Sequence, residues 1–259
     1  MNTLAVDIGN SSAKALLFDG GEVDPIEAAS AVVRSTDEAR ALIQRAVAGR
    51  QVDAVGFCSV VPAVSAHFEP LWGSGGLPVP MVVGPDTAVP FRVEYETRAS
   101  LGADRIAVVA GAWSLMHSSA RVEAHPLLVV DAGTATTIEV VDRRGVYRGG
   151  PILAGPGIVR AALTGGTAQL PQIELEVPES AIGRSTREAL QSGIVYGYID
   201  AVRGGLQRLL DEVGHDATVV ATGGWSALLA AYVSAVEIIR PNLVLEGIEW
   251  LVSYAAGRR

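Results

Sequence analysis

The segment LAVDIGNSSAKALLFD (residues 4–19) places Asp7 and Gly9 at the end of an apolar run. A second segment, LVVDAGTATTIEVVD (residues 128–142), places Asp131 and Gly133 in the same two positions. Short apolar runs that end at a glycine turn indicate buried strands, and a second apolar run after the turn indicates a hairpin. The sequence therefore predicts the same strand–turn–strand unit in both halves of the chain.

The repeated Asp-x-Gly turn suggests a chemical role. A tight turn leaves backbone N–H groups free to hold phosphate oxygens, and the neighbouring carboxylate can hold the accompanying cation. One such turn alone is usually ordinary. Two copies, followed by the glycine turn ATGG (residues 221–224) whose backbone can contact adenosine, favour a duplicated actin-like ATPase (ribonuclease H-like) fold. We expect two α/β halves with a nucleotide cleft between them, in which Asp7 and Asp131 handle phosphate and cation.

The order of predicted elements agrees with an α/β class, because strands and helices alternate along the chain. Apolar spacing and capping residues predict helices over residues 36–49, 62–72, 186–213 and 242–257, and another that begins near Ala103. A polar stretch interrupts the pattern before the second acidic turn. We therefore expect an N-terminal actin-like half over residues 1–118 and a C-terminal actin-like half over residues 119–259.

Composition and charge limit the partners. The chain has 259 residues, a formal charge of −8 and a pI near 5.0, which disfavours nucleic acid or an anionic membrane as the main partner. Cys58 is the only cysteine, so no disulfide forms within the chain, which fits a reducing cytoplasm. The longest uncharged window, residues 217–236, contains a glycine turn and predicts a strand and a helix, not a membrane span.

Several motifs together resemble the type III pantothenate kinases, which catalyse the first step of coenzyme A biosynthesis. In chain order they are DIGNSSAKALLF, YETRASLGADR, DAGTATT, GGPILAGPG, IGRSTREALQSG, ATGG and LVLEGI. The glycine turns alone indicate only the superfamily of acetate and sugar kinases. The GADR and IGRST pieces are specific to the family, and the resemblance covers essentially the whole chain.

The resemblance implies that Asp104 in GADR is the catalytic base that takes a proton from the pantothenate hydroxyl. A carboxylate suits this task, because phosphoryl transfer demands mainly positioning and modest proton acceptance. It also implies direct in-line transfer to 4′-phosphopantothenate, without a phosphoenzyme. Taken by its position alone, Asp104 is equally an acidic residue in the first turn of a helix, stabilised by the helix dipole.

For pantothenate binding the resemblance implies five residues: Tyr95, Gly102, Ala103, Arg105 and Thr186. Each has an alternative explanation in the sequence. Arg105 fits a surface salt bridge, and Tyr95 fits an exposed strand end. Thr186 follows Ser185, which with Glu188 forms a capping-box pattern that starts a helix whatever the function.

For ATP the resemblance implies the residues of the first acidic turn together with one from the second: Asp7, Ile8, Gly9, Asn10, Ser11, Ser12, Ala13, Lys14 and Thr134. Lys14 compensates phosphate charge in this reading, although a solvated strand lysine fits the pattern as well. Asp131 resembles the family's site for a monovalent cation. The implied cofactors are ATP with Mg²⁺ and either K⁺ or NH₄⁺, and the implied assembly is a homodimer.

The sequence departs from the family pattern at three places. Ser11 stands where threonine is common, Glu139 stands where aspartate is usual, and YETR replaces an asparagine–proline pair after the tyrosine. No catalytic group is lost. Two other functions remain open at this point: a kinase of another small polyol, and an ATP-binding accessory protein that regulates a partner.

Overall fold

The computed structural model describes residues 1–19, 29–118 and 125–257. The chain divides into two compact units, one of Met1–Glu123 with Asn242–Arg259 and one of Ala124–Pro241. The first unit contains β1 (Thr3–Ile8), β2 (Ala13–Phe18), β3 (Ala29–Ala31), α1 (Thr36–Val47), β4 (Ala54–Ser59), α2 (Pro62–Ser65), β5 (Met81–Val82), β6 (Arg92–Val93), α3 (Ala103–Ser118) and α7 (Leu243–Ala255). The second contains β7 (Leu127–Ala132), β8 (Ala135–Val141), β9 (Val146–Gly149), β10 (Ile152–Ala154), α4 (Pro156–Gly166), α5 (Thr186–Val213), β11 (Thr218–Thr222), α6 (Ser226–Tyr232) and β12 (Ile238–Ile239).

Both units are built around sheets of the same topology. The first sheet has the order β3-β2-β1-β4-β5, and the second contains β9-β8-β7-β11-β12 with β10 paired to β8. In each unit the first three strands are antiparallel, and the last two run parallel to the first. The strands β1 and β7 also share one burial pattern, in which only the fifth residue, an aspartate, is partly exposed. The predicted repeat of strand, acidic turn and strand is confirmed.

Helices cover both faces of the first sheet. Alternate residues of β1, such as Leu4 and Val6, pack with Leu42 of α1 in one buried cluster. The opposite face lies against α7, and Gly56 of β4 makes this contact close. A Cβ atom at Gly56 would lie 2.8 Å from a methyl group of Val252. Glycine is therefore required where the helix meets the strand.

The contact of α7 with α3 explains why the end of the chain returns to the first unit. A Cβ atom on Gly247 would lie 2.8 Å from the backbone nitrogen of Gly111 and would overlap the carbonyl oxygen of Ala107. The two helix backbones thus touch through a pair of glycines. The sequence predicted that residues 119–259 form one half, whereas the structure groups the final helix with the first half. The predicted boundary itself, near residue 119, lies outside the described residues.

One predicted helix differs in the structure. The sequence predicted a helix over residues 62–72, but α2 ends at Ser65 and a 3₁₀ turn spans Glu69–Leu71. Pro70 has no N–H group to donate and its ring clashes with the preceding turn, which breaks a continuous α-helix there. Phe68 and Trp72 instead pack their rings against Phe57, with centroids 5.9 and 5.7 Å away.

The long helix α5 covers one face of the second sheet. Its buried side chains, among them Val195 and Val202, share a core cluster with Leu128 and Ile138 of the sheet. The helix spans Thr186–Val213, as predicted. Among the helices of the described residues, none combines the length and the apolar character needed to cross a membrane.

We predict that Gly247→Ala destabilises the first unit, because the added methyl group forces the two helices apart. Overpacking of this kind typically costs about 1–3 kcal/mol of unfolding free energy. Gly165→Ala in α4 is the matched control, since nothing lies within 4 Å of a Cβ atom there. Urea unfolding of the three proteins measures the difference. Equal stability of Gly247→Ala and wild type would contradict the packing described above.

Candidate active site: the two acidic turns

The first turn, residues 9–12, joins β1 to β2 and is closed by a hydrogen bond from the N–H of Gly9 to the carbonyl of Ser12 (3.1 Å). Asp7 pairs with Lys14 on β2 and with Cys58 on β4. Paired residues of neighbouring strands share a face of the sheet. A carboxylate, an ammonium group and a thiol therefore form one row across three strands.

The burial of the first turn separates two kinds of predicted ATP contact. Asn10 and Ser11 are exposed, and Ser12 and Lys14 are partly exposed. In contrast, the side chains of Ile8 and Ala13 lie in the core, with 0% and 2% exposure. Of these last two, only the backbone can take part in the binding of a nucleotide.

Cys58 connects two residues that the sequence predicted separately. Its thiol is completely buried, and its pKa is raised well above the ordinary value by burial, then by the charges of Asp7 and Asp104, and by a hydrogen bond to Asp7. Electrostatic influence of this kind requires proximity. The first unit thus brings Asp7 and Asp104 to the same thiol, although 97 positions separate them (104 − 7). The linear sequence marked Cys58 only as the single cysteine, because its place beside Asp7 follows from strand register.

The start of α3 places Asp104 and Arg105. The carboxylate oxygen Oδ1 of Asp104 accepts a hydrogen bond from the backbone N–H of Arg105 (2.8 Å). A Cβ atom at Gly102 would overlap that same oxygen, so a side chain there would displace the Asp104 carboxylate from its present position. Ala103, the first residue of α3, is buried with 8% exposure. The carboxylate thus lies next to the backbone of Gly102 and Arg105.

Arg105 ties the loop before α3 to this helix. Its side chain has only 7% exposure, and Nη1 lies 3.4 Å from the hydroxyl of Tyr95. The guanidinium carbon also lies 5.6 Å from the centre of the Tyr95 ring, within the range of a cation–π contact. The surface salt bridge considered from the sequence does not describe this buried arginine. Tyr95, Gly102, Ala103, Asp104 and Arg105 form one group in the first unit.

The second turn, residues 133–135, joins β7 to β8. It is closed by a hydrogen bond from the N–H of Gly133 to the carbonyl of Ala135 (3.1 Å). Thr134 is exposed at its tip. Asp131 pairs with Thr137 and Thr222, which stand where Lys14 and Cys58 stand in the first unit. The two aspartates thus have different neighbours, and no lysine pairs with Asp131 in its sheet.

The third glycine turn lies directly on the second. Gly223 has φ +85°, and a Cβ atom there would lie 2.6 Å from the carbonyl of Ala132 and 2.8 Å from Oδ1 of Asp131. The N–H of Trp225 donates to the carbonyl of Ala132 (3.0 Å). The structure therefore brings Asp131 and the ATGG motif together, as parallel neighbouring strands require. The sequence suggested both motifs but not this contact.

Thr186 begins α5 in the second unit and is exposed. The hydroxyl of Ser185 accepts from the N–H of Glu188 (3.3 Å), and Oε2 of Glu188 accepts from the N–H of Arg184 (2.7 Å). The predicted capping interaction is confirmed. The pantothenate contact of Thr186 stays a prediction.

The acidic residues suit a cation that is bound together with phosphate. Within the part of the chain that the structure describes, no group of three or more His, Cys, Asp or Glu side chains forms a metal cage. Mg²⁺ in nucleotide sites is commonly held by one or two carboxylates together with phosphate oxygens and water. Single carboxylates such as Asp7 and Asp131 fit that pattern.

Comparison with solved structures identifies the fold. The chain aligns over 96% of its length with 98% of a ROK family glucokinase from Streptomyces griseus, with TM-score 0.53 and 15% identity. It aligns over 98% with 99% of a protein from Campylobacter jejuni described as a member of the Baf transcriptional-activator family, with TM-score 0.58 and 20% identity. At these identities the likeness shows the fold alone. The predicted duplicated actin-like fold, shared with sugar kinases, is confirmed.

Comparison of sequences defines the family. The type III pantothenate kinase profile matches residues 3–208. The chain is 36% identical over 251 residues to the type III pantothenate kinase of Brevibacillus brevis, which covers 95% of this chain and 96% of that protein. It is 38% identical over 255 residues to the enzyme of the same name from Thermomicrobium roseum, with 95% and 94% covered. This chain belongs to the type III pantothenate kinase family.

We predict that the buried Cys58 thiol makes stability decline at alkaline pH. The pKa of the Cys58 thiol is raised in the folded protein. The contribution of this thiol to the free energy of unfolding is therefore fully present below the unfolded thiol pKa of about 8.5, and it is lost as the pH rises through the folded pKa. Above the unfolded value, the free energy of unfolding should fall by up to about 1.4 kcal/mol per pH unit. Cys58→Ser should lack this contribution. Urea unfolding of wild type and Cys58→Ser in reducing buffer, below and above the unfolded thiol pKa, measures this contribution. Parallel declines of stability in the two proteins would refute the prediction.

Proposed function

We propose that this protein phosphorylates pantothenate with ATP to give 4′-phosphopantothenate, the first step of coenzyme A biosynthesis. The observation that carries the proposal is the arrangement at the start of α3. There Asp104 stands beside the buried Arg105–Tyr95 contact, and Cys58 lies close to both Asp104 and Asp7. Sequence relatives over nearly the whole chain bear the name of this enzyme.

The first turn is suited to the phosphates of ATP. Its exposed backbone and hydroxyl groups at residues 9–12 can donate to phosphate oxygens, and Lys14 supplies a positive charge in the row of Asp7. Asp7 would hold Mg²⁺, which would supply positive charge against the charge that develops on the transferred phosphoryl group. In the second unit, Thr134 contacts the nucleotide and the ATGG turn receives the adenosine.

Asp104 acts as the base in this proposal. It takes the proton from the attacking hydroxyl of pantothenate while the phosphoryl group passes in line from ATP, so no phosphoenzyme forms. Loose phosphoryl-transfer transition states depend mainly on positioning and charge, and a carboxylate accepts the proton as the new P–O bond forms. The hydrogen bond from the N–H of Arg105 orients the carboxylate for this role.

Pantothenate recognition follows from the surroundings of Asp104. The guanidinium of Arg105 suits the carboxylate of pantothenate, because Arg–carboxylate hydrogen bonds are charge-assisted. Tyr95 holds Arg105 from the loop side, and the backbone of Gly102 and Ala103 borders the base. Thr186 adds an exposed hydroxyl at the start of α5.

A monovalent cation, K⁺ or NH₄⁺, completes the proposal. Asp131 offers a carboxylate next to the hydroxyl-bearing Thr137 and Thr222. Oxygen ligands of this kind suit a hard cation near phosphate. Turnover should rise when potassium is added to the assay. If neither potassium nor ammonium changes the turnover rate, the proposed cation site is refuted.

A cytoplasmic location is proposed from the single reduced cysteine.

The decisive variant is Asp104→Asn, which keeps the size of the side chain but removes the base. Pantothenate-dependent ATP consumption should fall at least about a hundredfold, the usual contribution of a general base. Asp37→Asn is the matched control, because Asp37 is also an acid in the first turn of a helix. It tests the dipole explanation and should leave turnover unchanged.

The outcomes separate the alternatives. Equal loss in both variants would assign Asp104 only a helix-stabilising role. A wild-type protein that binds ATP but does not consume it with pantothenate would point to another acceptor or to an accessory function. Pantothenate-dependent turnover that Asp104→Asn abolishes supports the kinase and its base together.

We propose that the protein is a homodimer that associates through α5. Small side chains follow one stripe of this helix at intervals of four, and Gly193, Gly197 and Ala201 are exposed there. A helix face without bulky side chains lets a second helix approach closely. The same helix begins with Thr186, so association through α5 would bring a second subunit towards that residue.

Gly197→Arg should break this dimer, since a long charged side chain blocks close helix approach. Sedimentation equilibrium should give about twice the chain mass of 26.9 kDa for wild type and the single mass for the variant. Gln44→Arg, on an exposed position of α1, is the control and should stay dimeric. A monomeric wild type would overturn the proposal, and a dimeric Gly197→Arg would move the interface elsewhere.

A further inference from the structure

A pair of hydroxyl groups lies buried beneath the second turn. The Oγ1 of Thr136, at the start of β8, is 2.8 Å from the hydroxyl of Tyr198 on α5. Thr136 has no exposed surface and Tyr198 has 5%. This hydrogen bond links the residue next to the turn with the middle of the long helix.

Tyr198 also contacts the turn that follows β11. Its ring meets the ring of Trp225 edge to face, with centroids 6.3 Å apart and planes at 63°. The N–H of Trp225 in turn donates to the carbonyl of Ala132 at the end of β7 (3.0 Å). Tyr198 thus touches the bases of both the Asp131 turn and the ATGG turn.

The negative charge of Asp131 influences the pKa of the Tyr198 hydroxyl. Burial, opposed by the hydrogen bond with Thr136 and assisted by the Asp131 carboxylate, raises the pKa of Tyr198 to about 12. The hydroxyl therefore stays protonated at neutral pH. The bond with Thr136 is therefore one between two neutral hydroxyl groups, either of which can donate.

The first turn has no such pair. There Ile8 pairs with Ala13, in the register positions that Ala132 and Thr136 occupy in the second unit. Ala13 is buried among apolar residues that include Ala39 and Leu42 of α1. An apolar contact is therefore sufficient to close this hairpin. A hydrogen bond adds direction, because its geometry restricts the angle as well as the distance.

We propose that Tyr198 is a positioning residue for the nucleotide. Through Thr136 and Trp225 it holds the Asp131 turn and the ATGG turn in the relative geometry that binds ATP. The inference rests on the proposed function, in which these two turns receive the nucleotide. It assigns no catalytic role to Tyr198, whose hydroxyl is buried and directed to Thr136.

Tyr198→Phe tests the inference, because it keeps the ring and removes only the hydroxyl. The KM for ATP should rise about three- to tenfold, the change that corresponds to one hydrogen bond, while the KM for pantothenate changes less than about twofold. Calorimetric ATP binding gives the same comparison without turnover. Tyr196→Phe is the matched control on the same helix, since its hydroxyl donates to the carbonyl of Pro178 (2.8 Å), away from the turns.

A purely structural role makes a different forecast. It predicts lower thermal stability for both variants and no selective change in the KM for ATP. An unchanged KM for ATP in Tyr198→Phe, equal rises for both substrates, or the same rise in Tyr196→Phe would each overturn the inference. Should Tyr198→Phe not fold, Thr136→Val removes the same bond from the other side and decides the question in the same way.

The double variant Thr136→Val with Tyr198→Phe separates stability from positioning. Removal of both partners leaves no buried hydroxyl unpaired, so stability should recover relative to either single variant. The raised KM for ATP should persist, and its return to the wild-type value would overturn the inference. A wild-type protein that fails to bind ATP would instead refute the proposed function.

Discussion

The structure depends on an aspartate placed at the fifth position of a buried six-residue strand. In both β1 and β7 the four residues before it are buried and the aspartate is partly exposed. A carboxylate one step deeper would lose its hydration without compensation, which is costly. At this position the strand anchors the acid in a sheet while the residue remains partly exposed. The tight glycine turn that follows then presents backbone N–H groups beside it.

Strand register decides the neighbours of each aspartate, and the two units use this freedom differently. Asp7 stands between Lys14 and Cys58, whereas Asp131 stands between Thr137 and Thr222. The first row carries a positive charge and a thiol whose pKa is raised in part by the charge of the nearby Asp104. The second row carries two hydroxyl groups. The duplicated fold thus supplies one frame for two rows of different chemistry, a charged row near Asp104 in the first unit and a hydroxyl-bearing row in the second.

Close backbone contacts at glycines hold these rows in place. Gly223 lets the ATGG turn rest on the end of β7, and a side chain there would collide with Asp131. Gly247 lets α7 cross α3, the helix that starts with the GADR motif. Packed backbones have little room to adjust, so the contact at Gly223 fixes the end of β7 beside Asp131, and the contact at Gly247 fixes the helix that carries Asp104. Each unit therefore presents its acidic residue from a rigid support.

The sequence by itself determined the repeat, the class of fold, the start of α3, the bounds of α5, and the family. These features depend on local patterns, such as apolar periodicity, a capping serine and glycine turns, which are written in consecutive residues. Only the tertiary structure decided that Cys58 lies close to Asp7 and Asp104, that Tyr198 lies under the second turn, and that the last helix belongs to the first unit. Strand register and helix crossing bring together residues far apart in the chain, and they depend on packing across the whole unit. The break at Pro70 lies between these cases, since the proline was visible but the apolar pattern around it favoured a continuous helix.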